Sequence, residues 1–204
     1  MSRPLARLLV STGVSPNHIT ILGTIVGLAS AYCYLQDERI WASIGGALFF
    51  AYYLMDHIDG DLARLLRRST RIGALLDDFS DWLVHGFFFL ALGFQVSRSS
   101  GDSLWMWMGV AAAVGGTLNT LLALINGPIQ SDDKISLLSE MPTGKTWLDS
   151  AGFILRGLIK ADFWLIVLIL SLAGYLWVLL PAAAIGAQIF WMLFLRKSMQ
   201  KIHT

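Results

Sequence analysis

Long apolar runs separated by short polar breaks dominate the chain. Residues 19–35 form one run, and residues 40–55 form a second that passes without a breaker into a stretch rich in Asp. Residues 73–95 and 104–125 are the third and fourth. Each is read as a membrane-spanning helix. Residues 163–195 are almost wholly apolar for 33 positions, about 50 Å as a helix. A bilayer core is only about 30 Å thick. One straight helix would be too long, and Gly174 with Pro181 offers a turn region. Two helices near 162–175 and 178–196 result. The pattern predicts an all-α integral membrane protein with six transmembrane helices.

Two segments are too polar for the bilayer core. In residues 2–11, Leu5, Leu8 and Leu9 are spaced helically between Arg3 and Arg7, which predicts a short amphipathic helix on the membrane surface. Residues 126–160 form a long loop, in which 146–159 reads as a second interfacial helix. The first 15 residues show no apolar core ending in a small-residue cleavage site, so no cleaved signal segment is expected. With no repeat or low-complexity tract, 1–204 reads as one domain: an interfacial helix in 1–15 and a six-helix bundle in 16–204.

Composition agrees. The chain is 55% hydrophobic and 14% charged, where a soluble domain carries about 25% charge. A net charge of +1 gives no sign of nucleic-acid binding. Cys33 is the single cysteine, which excludes an internal disulfide and a multi-cysteine zinc site; it reads as a small core residue. Six spans with an inside N-terminus put 13 basic residues in inside loops: Arg3, Arg7, Arg64, Arg67, Arg68, Arg71, Lys134, Lys145, Arg156, Lys160, Arg196, Lys197 and Lys201. Only Arg39 and Arg98 fall outside. This asymmetry predicts cytoplasmic termini, and it opens the Asp-rich stretch on the cytoplasmic side.

That stretch, 56–86, holds six of the chain's 14 acidic residues. Asp56 and Asp59 are three apart, and Asp77 and Asp81 four apart. Both spacings put side chains on one helix face. If the two helices pack as neighbours, four carboxylates converge. Anions crowded in a poorly solvated place must take up protons or bind cations. Oxygen-only ligation favours Mg2+, Mn2+ or Ca2+ over zinc, and two ions are plausible with this many carboxylates. Gly60 would let a ligand approach the backbone. Arg64, four residues on, shares that face and offers a planar fork for phosphate. Asp61 and Asp78 point off the shared face and read as caps or exposed charges.

The gap-free pattern D-x2-D-G-x2-A-R-x8-G-x3-D-x3-D (Asp56, Asp59, Gly60, Ala63, Arg64, Gly73, Asp77, Asp81) resembles the signature of the CDP-alcohol phosphotransferases. The likeness extends to "SRPLARLLVSTGVSPNHITILGT" at 2–24, similar to the family's surface helix and its P-[ND]-x-x-T entry into the first span. Residues 126–160 match only loosely. The resemblance implies cleavage of the pyrophosphate of a CDP-linked donor, transfer of the phospho-alcohol to an acceptor hydroxyl, and release of CMP. It assigns two Mg2+ or Mn2+ ions to Asp56, Asp59, Asp77 and Asp81, with Asp81 also the general base. It assigns Asn17, Thr20, Gly60, Ala63, Arg64, Thr70 and Gly73 to the nucleotide and donor. A homodimer in the lipid bilayer is implied as well.

The donor and acceptor are less defined. Length and "PNHIT" resemble phosphatidyltransferases that use CDP-diacylglycerol in phospholipid synthesis; a soluble polyol phosphate pair is the alternative. Lys134, Arg156 and Arg196 offer cations to an acceptor phosphate, although membrane-topology and interface charges account for them more readily. His85, one turn after Asp81, faces the acceptor or the packing; His57 points away from the metal face. Two other classes compete. A small cation transporter would place carboxylates near the bilayer midplane, not at one edge beside arginines. A hydrolase would release CMP without any added alcohol.

Overall fold

The computed structural model describes residues 2–68, 70–126 and 163–202. Among them the elements, in order, are α1 (Ser2–Val10), α2 (Pro16–Tyr34), α3 (Arg39–Leu65), α4 (Arg71–Ser100), α5 (Leu104–Asn126), α6 (Phe163–Ala173), a 3-10 turn (Leu176–Val178) and α7 (Leu179–Ile202). No strand occurs among the described residues, as the apolar periodicity predicted.

The punctuation follows from local chemistry. Pro16 opens α2, where its missing N–H costs nothing. Thr70 caps α4 by accepting from the Gly73 amide at 3.0 Å. At the other end of α4, Gly101 takes the left-handed conformation with φ 73°. Gly174, at φ 80°, breaks the long apolar run where the turn was expected. Pro181 plays a different part: it lies in the first turn of α7, the place a helix tolerates it.

The Asp-rich stretch is helical, as the spacing of Asp56 and Asp59 required. The helix that carries the second apolar run continues to Leu65, so Asp56, Asp59 and Asp61 belong to its last turns. It closes with amide bonds from Arg68 to the Ala63 carbonyl (3.0 Å) and from Arg67 to the Arg64 carbonyl (3.2 Å), a Schellman closure. The closing residue, Arg67, sits at φ 51°, a position that usually selects glycine. Among the described residues, three helices are long and apolar enough to cross a membrane: Arg71–Ser100, Leu104–Ile125 and Leu176–Arg196. Phe163–Ala173 is apolar but shorter. The expected interfacial helix at 146–159 lies outside the described residues.

α2 packs against both α3 and α4; α5 packs against α4 and α7; α6 and α1 pack on α3. The main core is aromatic and aliphatic, with Tyr34, Phe49, Tyr52, Val84, Phe88, Leu92, Val167 and Leu180. Small residues let the backbones approach. A Cβ at Gly109 would lie 2.5 Å from the Phe89 carbonyl oxygen, so α4 and α5 touch through backbone. A Cβ at Gly27 would meet both Val84 methyls at 2.7 Å. A smaller cluster of Ala6, Ile19, Ile58 and Leu62 seats α1 on the ends of α2 and α3. Cys33 is buried and free, as expected. This packing brings the C-terminal turns of α3, the N-terminal half of α4 and the start of α2 to one end of the bundle.

Candidate active site

Helix spacing sets up the acidic residues, and α2 fixes them. Asp56, Asp59 and Asp77 each offer a carboxylate oxygen within 4.8 Å of the others. Asp59 is 5% exposed, and one of its oxygens accepts from the Thr20 hydroxyl at 2.6 Å. One helical turn along α2, the Thr24 and Ser80 hydroxyls share a hydrogen bond of 2.6 Å. A hydroxyl face of α2 thus binds α3 at one point and α4 at the next. The site is assembled by packing rather than by the loop between the helices.

The three carboxylates pass a test for cation binding on their own geometry. Asp77 Oδ1 is buried and has no hydrogen-bond partner among the described residues. An acceptor orphaned from water costs about 1–3 kcal/mol, more if charged. Beside two further carboxylates it is the arrangement a hard, oxygen-seeking cation relieves. The donor set is all oxygen, which favours a hard cation such as Mg2+ or Mn2+ over zinc.

Asp81 was expected to converge with these three on equal terms. It borders them: the tightest group contains Asp56, Asp59 and Asp77, the charge of Asp81 acts on all three, and Asp81 Oδ1 accepts a hydrogen bond from the Tyr52 hydroxyl. Tyr52 was absorbed into the apolar pattern of 40–55. The available signal was its spacing, four residues before Asp56 and therefore on the same face.

Asp61 corrects the reading of it as a cap or an exposed charge. It is 8% exposed. It accepts from the Ser2 hydroxyl at 2.6 Å and from Arg64 Nη2 at 2.9 Å. It lies beyond the apolar stretch 40–55, where the Ser2 hydroxyl, then the Arg64 guanidinium, hold its carboxyl below the usual carboxylate range. Asp61 does point off the shared face, but it is the tether for α1. Asp78 is exposed, as expected.

Arg64 lies over Gly60: both Nη atoms would be 3.4 Å from a Cβ built there. Asp61 holds that guanidinium in place from one side, while the side chain stays largely exposed. Asn17, Thr70 and Gly73 adjoin one another, since a Cβ at Gly73 would meet Thr70 Oγ1 at 3.2 Å and Asn17 Oδ1 at 3.3 Å. Ala63 is half-buried in the last turn of α3.

The candidate acceptor residues are less gathered. The His85 ring donates through Nδ1 to the Asp81 carbonyl at 2.8 Å and packs edge-on to Phe49 at 5.7 Å. His57 donates to the Tyr53 carbonyl at 3.1 Å and stacks on Tyr53; its Nδ1 also lies 3.3 Å from Asp56 Oδ2, so it borders the trio rather than pointing away from it. Arg196 is exposed near the C-terminal end of α7. Lys134 and Arg156 lie outside the described residues.

Comparison with known proteins gives the same picture. The family model for CDP-alcohol phosphatidyltransferases matches residues 13–197. A phosphatidylinositol phosphate synthase of Streptomyces avermitilis is 35% identical over 122 residues, 59% of this chain and 42% of that protein. The matched stretch therefore spans less than half of that relative. An uncharacterised protein of Aquifex aeolicus is 32% identical over 174 residues, 81% of each chain. The crystal structure of Mycobacterium tuberculosis phosphatidylinositol phosphate synthase with CDP-DAG bound aligns with a TM-score of 0.58 at 22% identity, covering 94% of this chain and 92% of that one. The same enzyme with manganese and citrate aligns at 0.62 and 21%, covering 98% and 89%. At such identities the likeness speaks for the fold.

Proposed function

The chain belongs to the CDP-alcohol phosphatidyltransferase family, and we propose that it moves a phosphatidyl group from a CDP-linked lipid, CDP-diacylglycerol, to a hydroxyl acceptor with release of CMP. The observation that carries this reading is the trio Asp56, Asp59 and Asp77, with its orphaned Asp77 oxygen, beside the Arg64 guanidinium over Gly60. An acidic trio next to an arginine suits a pyrophosphate bridged by cations.

Asp56, Asp59 and Asp77, with Asp81 beside them, would hold two divalent ions, Mg2+ or Mn2+. Once bound, they supply positive charge for the pyrophosphate and for the departing CMP phosphate. The chain's own residues do the rest. Thr20 fixes the Asp59 carboxylate by its hydrogen bond. Arg64, held by Asp61, takes a donor phosphate, and Gly60 gives it room to approach. Asn17, Thr70 and Gly73 flank the nucleotide. Asp81 accepts the proton of the acceptor hydroxyl. The acceptor oxygen forms a bond to the phosphorus that bears the lipid alcohol. The pyrophosphate P–O bond breaks, and CMP leaves with its electron pair.

The acceptor in this reading is a phosphorylated polyol, as the names of the relatives suggest. Lys134, Arg156 and Arg196 are its phosphate contacts and His85 its neighbour at Asp81. The chain crosses the membrane six times, with α1 on the surface and the termini and site cytoplasmic. The basic-residue asymmetry supports that orientation.

The test is Asp81→Asn. The variant should fold and bind CDP-diacylglycerol but lose phosphatidyl transfer, by at least the ~100-fold that a general base contributes. Transfer at the wild-type rate would remove Asp81 from that role.

A further inference from the structure

The Arg64 guanidinium ends a long, flexible side chain that is 68% exposed. A side chain so free loses rotamer freedom when it grips a phosphate. The contacts that hold it ready begin on the surface helix. We propose that Ser2 is a positioning residue for the donor site: through Asp61 it fixes the Arg64 guanidinium, so that the docking of α1 sets the affinity for the CDP-linked donor. This rests on the reading of Arg64 as a donor phosphate contact.

The two oxygens of Asp61 divide the work. Oδ1 accepts from Arg64 Nη2 at 2.9 Å, and Oδ2 accepts from the Ser2 hydroxyl at 2.6 Å. Among the described residues, Asp61 is the one hydrogen-bond partner of the Arg64 side chain. An aspartate held only by the arginine can change rotamer and carry the guanidinium with it. Anchored at its other oxygen as well, it cannot. The pairing still leaves Arg64 fit for a phosphate. A guanidinium presents several N–H donors in a planar fork, and Asp61 accepts from one nitrogen. The fork lies over Gly60, where no side chain blocks a ligand.

α1 can carry this contact because it is itself seated. Ser2 opens the helix, the end whose free N–H groups favour a nearby carboxylate. One turn on, Ala6 is fully buried in a cluster with Ile19, Ile58 and Leu62. Leu62 directly follows Asp61, so the packing that seats α1 ends beside the carboxylate that Ser2 binds. Leu5 and Leu8 stay exposed, as on the face an amphipathic helix turns to a bilayer. The coupling works in both directions. Whatever loosens α1 loosens Arg64, and a donor that engages Arg64 steadies α1.

The test is calorimetric binding of CDP-diacylglycerol to the purified protein in detergent with saturating Mn2+. Ser2→Ala should weaken binding at least about threefold, through lost pre-organisation of Arg64. Ser2→Thr, which keeps the hydroxyl, should stay within about twofold of the wild type, whereas Mn2+ affinity without donor should be unchanged in Ser2→Ala. In an Arg64→Ala background, Ser2→Ala should cost nothing further, the mark of two residues acting in one line. Hydrogen exchange at the α1 amides should slow when CDP-diacylglycerol is added to the wild type. Wild-type donor affinity in Ser2→Ala, an equal loss with and without Arg64, or α1 exchange indifferent to the donor would overturn the proposal. If Arg64→Ala binds the donor weakly and Ser2→Ala does not, the fault lies with Ser2 alone. If Arg64→Ala binds it as the wild type does, the donor reading of Arg64 fails and this proposal fails with it.

Discussion

Asp77 is the residue on which the site's chemistry turns. Its buried Oδ1 has no hydrogen-bond partner among the described residues, so replacing Asp77 with Asn should remove a ligand without breaking a hydrogen bond of that atom. Asp77→Asn is expected to weaken Mn2+ binding and lower transfer by more than the 10–100-fold typical of losing an outer-shell partner. Calorimetric titration with Mn2+ checks this. An unchanged affinity would place the cation elsewhere. Asp61 gives a contrasting prediction. It binds Arg64 and Ser2 rather than the cation set, so Asp61→Asn should leave Mn2+ affinity unchanged and raise KM for the CDP donor severalfold, as measured by initial rates. The spacing of Asp56, Asp59, Asp77 and Asp81 made the carboxylate face legible in the sequence. The hydrogen bond from Tyr52 to Asp81 was not legible, because Tyr52 lies inside an apolar run. Asp61 was misread for a similar reason. Its partner, Ser2, is 59 positions away, and no local spacing predicts such a contact.

At the scale of elements, α2 acts as the template. It meets α3 through Thr20 and α4 through Thr24, and its glycine face admits Tyr52 and Val84. The apolar runs foretold the helices well, because a membrane helix must be apolar along most of its length. At the end of α3 the helix outlasts its apolar run, as the Asp spacing rather than the hydropathy indicated: hydropathy marks the bilayer, not the end of hydrogen bonding. The α4–α5 contact was also invisible in the pattern, since a glycine counts as neutral wherever it falls. It carries a clear expectation. Gly109→Ala would put a Cβ 2.5 Å from the Phe89 carbonyl oxygen, and backbone cannot step aside as a side chain can. The helices must separate, at a cost of about 1–3 kcal/mol. Thermal unfolding in detergent should show a lower midpoint for Gly109→Ala, while Gly116→Ala, with open space around its Cβ, should unfold like the wild type.

For the whole molecule, the acidic site and the opposite rim have different chemistry. The carboxylates, Arg64, Arg67 and Arg71 gather at one end. At the other, Arg98 pairs with Asp37 and Arg39 donates to the Leu172 carbonyl at 3.0 Å, tying α2, α3, α4 and α6 together. The charge asymmetry of the sequence foretold two unlike ends. It could not say how three helices from separate stretches would register, which follows from glycine contacts and buried hydroxyls. The proposed orientation predicts that a single cysteine at Arg67, in a Cys33→Ser background, is labelled by an impermeant thiol reagent only after the membrane is opened, whereas one at Arg98 is labelled in intact cells. The central claim is that the carboxylate trio serves phosphatidyl transfer to an alcohol. It is tested most directly by CMP release from CDP-diacylglycerol, using purified protein with a panel of alcohols, with and without Mn2+ or Mg2+. The account predicts CMP release only when a divalent ion and a phosphorylated polyol are both present, with the lipid product formed in equal amount. CMP release that ignores the added alcohol, or that persists in excess chelator, would contradict it.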